Sequence, residues 1–158
     1  MKAAVVFYSY DGNSAFAAEQ IGLLLKADLL QIQPVKERRA LKFWKIIVGV
    51  GQVMFNKKPA LKPYSFNSSD YDLIILGTPV WAGSPAPAIK SFLSQEKLSG
   101  KKLALFACHA GGPGDVMQKL KAELKDNTIV SEIDFLNPAS EQEKAKQKIE
   151  EWVKTLTQ

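Results

Sequence analysis

Ala3-Ala4-Val5-Val6-Phe7-Tyr8 runs directly into Ser9-Tyr10-Asp11-Gly12-Asn13-Ser14, and the reading of that join decides the fold. The first half is apolar on every residue and too short for a helix. It fits a strand buried on both faces, as parallel sheets require. Asp11, Gly12 and Asn13 are turn formers and end it. From Ser14 onward Ala17, Ile21, Leu24 and Leu25 recur on one helical face. A buried strand, a tight turn and a helix in immediate succession are the opening of a βαβ unit.

The rest of the chain repeats that unit. Leu73–Gly77, Leu103–Cys108 and Ile129–Phe135 are further short apolar runs, and Leu29–Gln33 alternates as an edge strand does. Ser84-Pro85 predicts a hydroxyl cap with proline at the first helical position, followed by Ile89, Phe92 and Leu93. After Pro113-Gly114-Asp115 come Val116, Leu120 and Leu124. The last helix opens at Pro138 with the capping box Ser140-x-x-Glu143 and buries Ala145, Ile149, Trp152, Val153 and Leu156. Five strands alternating with helices, joined by right-handed crossovers, predict an α/β fold. It is a doubly wound five-stranded parallel sheet, order 2-1-3-4-5. No repeat, low-complexity tract or linker interrupts residues 1–158, which read as one domain.

Bulk properties narrow the function classes. No apolar run approaches the roughly 20 residues of a membrane span, and the short N-terminal run is not a secretory leader, so a cytoplasmic protein is expected. The single cysteine, Cys108, rules out an internal disulfide framework. The net charge of +5 is local: residues 36–62 carry eight lysines and arginines against Glu37 alone, which leaves the remainder slightly negative.

In a doubly wound sheet ligands bind outside the carboxyl ends of the strands, where the strand order reverses. Three loops leave those ends. Ser9–Ser14 precedes a helix N-terminus, whose free N–H groups and partial positive charge seat a phosphate. No lysine or arginine lies between residues 3 and 25, so an anion there is held by neutral donors, which points to a single terminal phosphate. A capped turn with nothing bound has the same sequence. In Thr78–Ser84, Trp81 is a large apolar surface that a planar aromatic ligand would cover, as would a neighbouring loop. Gly83 beside it allows close backbone approach. In His109–Asp115, Gly111, Gly112 and Gly114 leave backbone donors unobstructed, suited to the carbonyl edge of such a ring or to a simple connector.

Taken together, Phe7-Tyr8-Ser9-Tyr10-Asp11-Gly12-Asn13-Ser14, Leu76-Gly77-Thr78-Pro79-Val80-Trp81-Ala82-Gly83-Ser84-Pro85 and Gly111-Gly112-Pro113-Gly114 resemble the flavodoxin family, and the resemblance spans nearly the whole chain. It implies a flavodoxin-like fold and flavin mononucleotide (FMN) as cofactor. By resemblance Ser9, Tyr10, Asp11, Gly12, Asn13 and Ser14 form the phosphate loop. Thr78, Pro79, Val80, Trp81, Ala82 and Gly83 flank the isoalloxazine ring, and His109, Ala110, Gly111 and Gly112 lie on its other side. Two departures stand out. Asp11 replaces a hydroxyl, and a carboxylate near a phosphate lowers affinity unless it turns away. No aromatic residue occurs in 109–115 to cover the ring.

The resemblance implies an electron-transferring flavoprotein that works with a redox partner protein or a small acceptor. Two alternatives stay open: an FMN-dependent NAD(P)H:quinone-type reductase, favoured by the uncovered ring face, and a flavodoxin-fold binding module without cofactor, favoured by Asp11.

Other motifs carry less. Cys108 lacks the arginine that closes a phosphatase loop, and one Cys-His pair does not make a zinc site. Gly49-Val50-Gly51-Gln52-Val53-Met54 lacks the third glycine and preceding strand of a dinucleotide fingerprint. Phe43, Ile47, Val50 and Met54 fall at helical spacing within the basic segment 36–62, and a stretch from Pro59 to Pro63 leads the chain back. That segment is either a sheet-covering helix or a basic apolar surface for a redox partner, a membrane surface or a second subunit. Nucleic acid is not expected, because no reading element accompanies the charge.

Overall fold

The computed structural model describes residues 1–37 and 58–157. Five parallel strands form the sheet: β1 (Ala3–Phe7), β2 (Asp28–Gln31), β3 (Leu73–Trp81), β5 (Lys102–His109) and β6 (Thr128–Leu136). A two-residue strand, β4 (Ser84–Pro85), pairs antiparallel with the end of β3. The order β2-β1-β3-β5-β6 is the expected 2-1-3-4-5 once the short β4 is set aside, so the chain reverses direction across the sheet between β1 and β3.

Alternate residues of the central strands face opposite sides, and each side has its own core. Val6, Ile74, Leu76, Leu103 and Leu105 pack under α2 (Pro87–Glu96) and α3 (Val116–Glu123), which contribute Ile89, Phe92, Val116 and Leu120. Val5, Phe7, Ile75, Ala104 and Phe106 pack under α1 (Asn13–Leu25) and α4 (Gln142–Leu156), through Ala17, Ile21, Ile149 and Trp152. A Cβ placed on Gly77 would lie 2.0 Å from the Phe106 ring, so this strand position must be glycine for the aromatic to fill the layer.

Four local readings are corrected. Loop Thr78–Ser84 is a hairpin: β3 continues to Trp81, Trp81 pairs with Ser84, and Ala82 (φ 48°) and Gly83 (φ 67°) make the turn. Ser84-Pro85 is therefore strand, and α2 begins at Pro87 behind Ala86. The capping box at Ser140 does not form. Asn137 (φ 40°) starts a turn whose carbonyl accepts from Ser140 and Glu141, and α4 begins only at Gln142. Leu24 is 47% exposed, because Ala18 and Gly22 take the inner face of α1 in its place. β6 is an edge strand with alternating exposure, fastened to α4 by the Trp152 indole donating to Ser131 Oγ at 2.8 Å.

The chain leaves the sheet after β2 and returns beside itself: Val35 N–H donates to Ala60 and Lys62 N–H to Gln33, both at 2.8 Å. The return near Pro59 to Pro63 is thus present. The helix expected from Phe43, Ile47, Val50 and Met54 lies outside the described residues.

Candidate functional site at the carboxyl end of the sheet

The loops after β1, β3 and β5 converge. Trp81, at the tip of β3, meets the rings of Tyr8 and Tyr10 in T-shaped contacts, with centroids at 5.7 and 5.9 Å. Edge-to-face packing of this kind orients an indole as well as burying it. On its other flank the hairpin turn touches the loop after β5. A Cβ on Gly114 (φ 52°) would stand 2.8 Å from Gly83 Cα, so the two backbones abut directly. Lys119 of α3 locks this contact, its Nζ donating to Gly83 O at 3.1 Å and to Ser84 Oγ at 2.7 Å.

The first loop enters α1 through Gly12 (φ 94°), which has no side chain to cap the helix. The first amide, Asn13 N–H, donates to Asp11 Oδ1 at 3.0 Å, while Asn13 Nδ2 donates to Asp11 Oδ2 at 2.9 Å. The next two amides, Ser14 and Ala15, meet no acceptor among the described residues, as expected at an uncapped helix start. Two hydroxyl oxygens beside them, Ser9 Oγ and Ser14 Oγ, are buried without a hydrogen-bond partner. Ser14 is fully buried; the Cys108 thiol interacts with its hydroxyl but is not placed for a well-formed hydrogen bond to it. Buried polar atoms left unpaired are unfavourable, and several together mark a place where something else completes the bonding.

Burial pushes the Cys108 thiol up to about 12; Ser14 opposes the rise, while Asp11 and Asp134 add to it. Cys108 is a packed thiol, consistent with the absence of a phosphatase arginine. Burial, and then the Glu37 carboxylate that accepts its hydroxyl at 2.9 Å, raise the Tyr8 phenol far above its ordinary value, so Tyr8 stays a neutral donor. Thr78 is committed to the scaffold: its Oγ1 donates to Pro79 O and accepts from Ala86 N–H, each at 2.9 Å. Pro79 is buried and Val80 half-buried, whereas Ala82 stands exposed at the turn.

In the third loop His109 Nε2 lies 2.9 Å from Asp134 Oδ2. A carboxylate only accepts, so Nε2 carries the proton. Nδ1 is buried and meets no partner. Ala110 and Gly111 are exposed, and nothing lies within 4 Å of a Cβ built on Gly111 or Gly112, so the backbone there faces open space.

The structure thus brings together all three predicted loops and adds residues that sequence reading passed over. Tyr8 read only as strand, and Glu37 only as the lone acid of a basic run. Asp134 and Lys119 gave no local signal, since their partners are 25 and 36 residues away in the chain. Among the described residues no group of three His, Cys, Asp or Glu side chains can hold a metal ion, and no helix is long and apolar enough to cross a membrane.

A doubly wound α/β sheet whose three loops converge at the strand reversal, with an open helix start beside an oriented indole, has the architecture of the flavodoxin-like class. The chain belongs to the flavodoxin family: the family model described as Flavodoxin matches residues 2–156. A protein from Bacteroides eggerthii DSM 20697 assigned as a flavoprotein is similar at 25% identity and TM-score 0.82, covering 99% of this chain and 98% of that one. The flavoprotein of Lactobacillus acidophilus NCFM, solved in complex with FMN, shares the fold at 23% identity and TM-score 0.73, with 90% and 97% coverage. The two-electron reduced flavodoxin of Megasphaera elsdenii does so at 20% identity and TM-score 0.61, with 97% and 99% coverage. No curated protein matches the chain significantly.

Proposed function

We propose that this protein binds FMN at the carboxyl end of the sheet and transfers electrons through it. The observation that carries the reading is the pair of buried, unpartnered hydroxyls, Ser9 Oγ and Ser14 Oγ, beside the open amides of α1. Neutral donors at a helix N-terminus are the chemistry that receives a terminal phosphate. FMN supplies one- or two-electron transfer when bound. The chain's part is to hold and tune it. Ser9, Ser14 and the Ser14 and Ala15 amides take the phosphate. Trp81, oriented by Tyr8 and Tyr10, stacks on the ring. The turn Ala82-Gly83, locked by Lys119, brings backbone to the ring edge, and Gly111 and Gly112 offer amides on the other side. FMN so held would pass electrons to a redox partner protein or a small acceptor.

The purified chain, titrated with FMN, is expected to quench flavin fluorescence and shift the visible absorption bands. Trp81→Ala is expected to weaken binding by about tenfold or more and to move the midpoint potential. Unquenched fluorescence with wild-type protein would remove the flavin reading; unchanged affinity and potential in Trp81→Ala would remove the stacking role.

A second reading is favoured by the open backbone at Gly111 and Gly112, which leaves room for a small substrate against the ring. In that case the protein is an FMN-dependent reductase of quinone-type acceptors. Steady oxidation of a nicotinamide donor with a small quinone, without added protein, separates the enzyme from the carrier.

A further inference from the structure

We infer that Asp11 is an internal anion seated where the ligand's phosphate must sit, and that it sets how far the site prefers a phosphorylated flavin to an unphosphorylated one. The inference rests on the flavin reading above and concerns its specificity.

A hydroxyl at this position would donate to a phosphate. The Asp11 carboxylate instead takes the first amide of α1 for itself, through Oδ1 to Asn13 N–H at 3.0 Å. Its other oxygen accepts from Asn13 Nδ2 at 2.9 Å. The Asn13 side chain is held in turn from the far side, where its Oδ1 accepts from Ala139 N–H at 3.0 Å. The carboxylate is therefore tied to the loop by two bonds, although the residue itself is exposed. Asp11 joins no ion pair among the described residues. Its charge reaches the neighbouring side chains, since it helps to hold the Cys108 thiol and the Tyr8 phenol in their protonated forms.

Two consequences follow for an entering phosphate. It finds one of the three free amides already bonded, and it brings a charge of nearly −2 against a fixed carboxylate. Riboflavin, the same ring and ribityl chain without the phosphate, meets neither obstacle. Ser9, Ser14 and the remaining amides attract the phosphate, Asp11 opposes it, and the preference for FMN over riboflavin is the difference. The other two loops, which hold the ring, are indifferent to this balance.

Fluorescence-quenching titrations of the full chain with FMN and with riboflavin measure the ratio of the two dissociation constants. Asp11→Asn keeps an acceptor for the Asn13 amide and removes the charge, together with the bond from Asn13 Nδ2; Asp11→Ser also restores a donor. The expected result is that the FMN dissociation constant falls about tenfold in Asp11→Asn and at least as far in Asp11→Ser, while that of riboflavin stays within twofold. An unchanged or smaller preference for FMN in Asp11→Asn overturns the inference and leaves the flavin site standing. Equal weakening of both flavins also overturns it, because Asp11 would then only brace the loop. Binding of neither flavin by wild type or variants overturns the inference and the flavin reading together.

Discussion

Cys108 lies at the carboxyl end of β5 with 3% exposure, packed beside Phe106 and Phe135 on the α1 face of the sheet. Its thiol is pushed from 9.0 to about 12, chiefly by burial. Above pH 9 the unfolded chain therefore releases a proton that the folded chain keeps, and stability is lost as the pH rises from about 9 towards 12. The raised phenols of Tyr8, Tyr64 and Tyr71 act in the same sense. Urea midpoints at pH 7.5 and 10.5 are expected to differ less in Cys108→Ala than in wild type, and an equal difference would show that the thiol does not ionise on unfolding. Single residues such as this one are partly legible in sequence. That Cys108 lacks the arginine of a phosphatase loop follows from the residues after it, whereas its neighbours Ser14 and Asp11 come from another loop entirely. Asp11 marks the same boundary: its departure from a hydroxyl is visible in the chain, but its grip on the Asn13 amide is a matter of geometry.

Among the elements, the central strands were plain to read because a parallel strand covered on both sides must be apolar at every position. Helix starts were not. Ser84-Pro85 and Ser140-x-x-Glu143 both carry the right residues for a cap, yet the first pairs with β3 and the second sits in a turn set by Asn137. A cap contributes only about 0.5–2 kcal/mol, less than the strand pairing and core packing that place the chain at those points. β3 likewise extends past its apolar run because β5 remains alongside it as far as Pro79, which pairs with Cys108 after β1 has ended at Phe7, and the hairpin with β4 carries it on to Trp81. Glycine positions show the same dependence on neighbours. Gly77→Ala forces a Cβ into the Phe106 ring and is expected to destabilise the protein by about 1–3 kcal/mol in urea unfolding. A loss below about 0.5 kcal/mol would mean that Phe106 relaxes freely and that the layer is not tightly packed there.

For the whole molecule, a ligand that joins three loops at once stabilises the folded chain without touching the unfolded one. At a hundredfold excess over its dissociation constant FMN would add about 2.7 kcal/mol. In a domain of this size that corresponds to a rise in Tm of roughly 5–10 °C, measurable by thermal melting with and without FMN. No shift at saturating FMN would contradict binding across the loops. The amino-acid sequence alone determined the doubly wound sheet, its strand order, the three loops and the flavodoxin resemblance, because hydrophobic period and turn chemistry are local properties of the chain. Only the tertiary structure decided how the site is built: Trp81 held by Tyr8 and Tyr10, Gly83 abutting Gly114 under Lys119, His109 paired with Asp134, and two serine hydroxyls left without partners. Those contacts join residues far apart in the chain, and their distances are set by how the layers pack on the sheet rather than by any spacing along it.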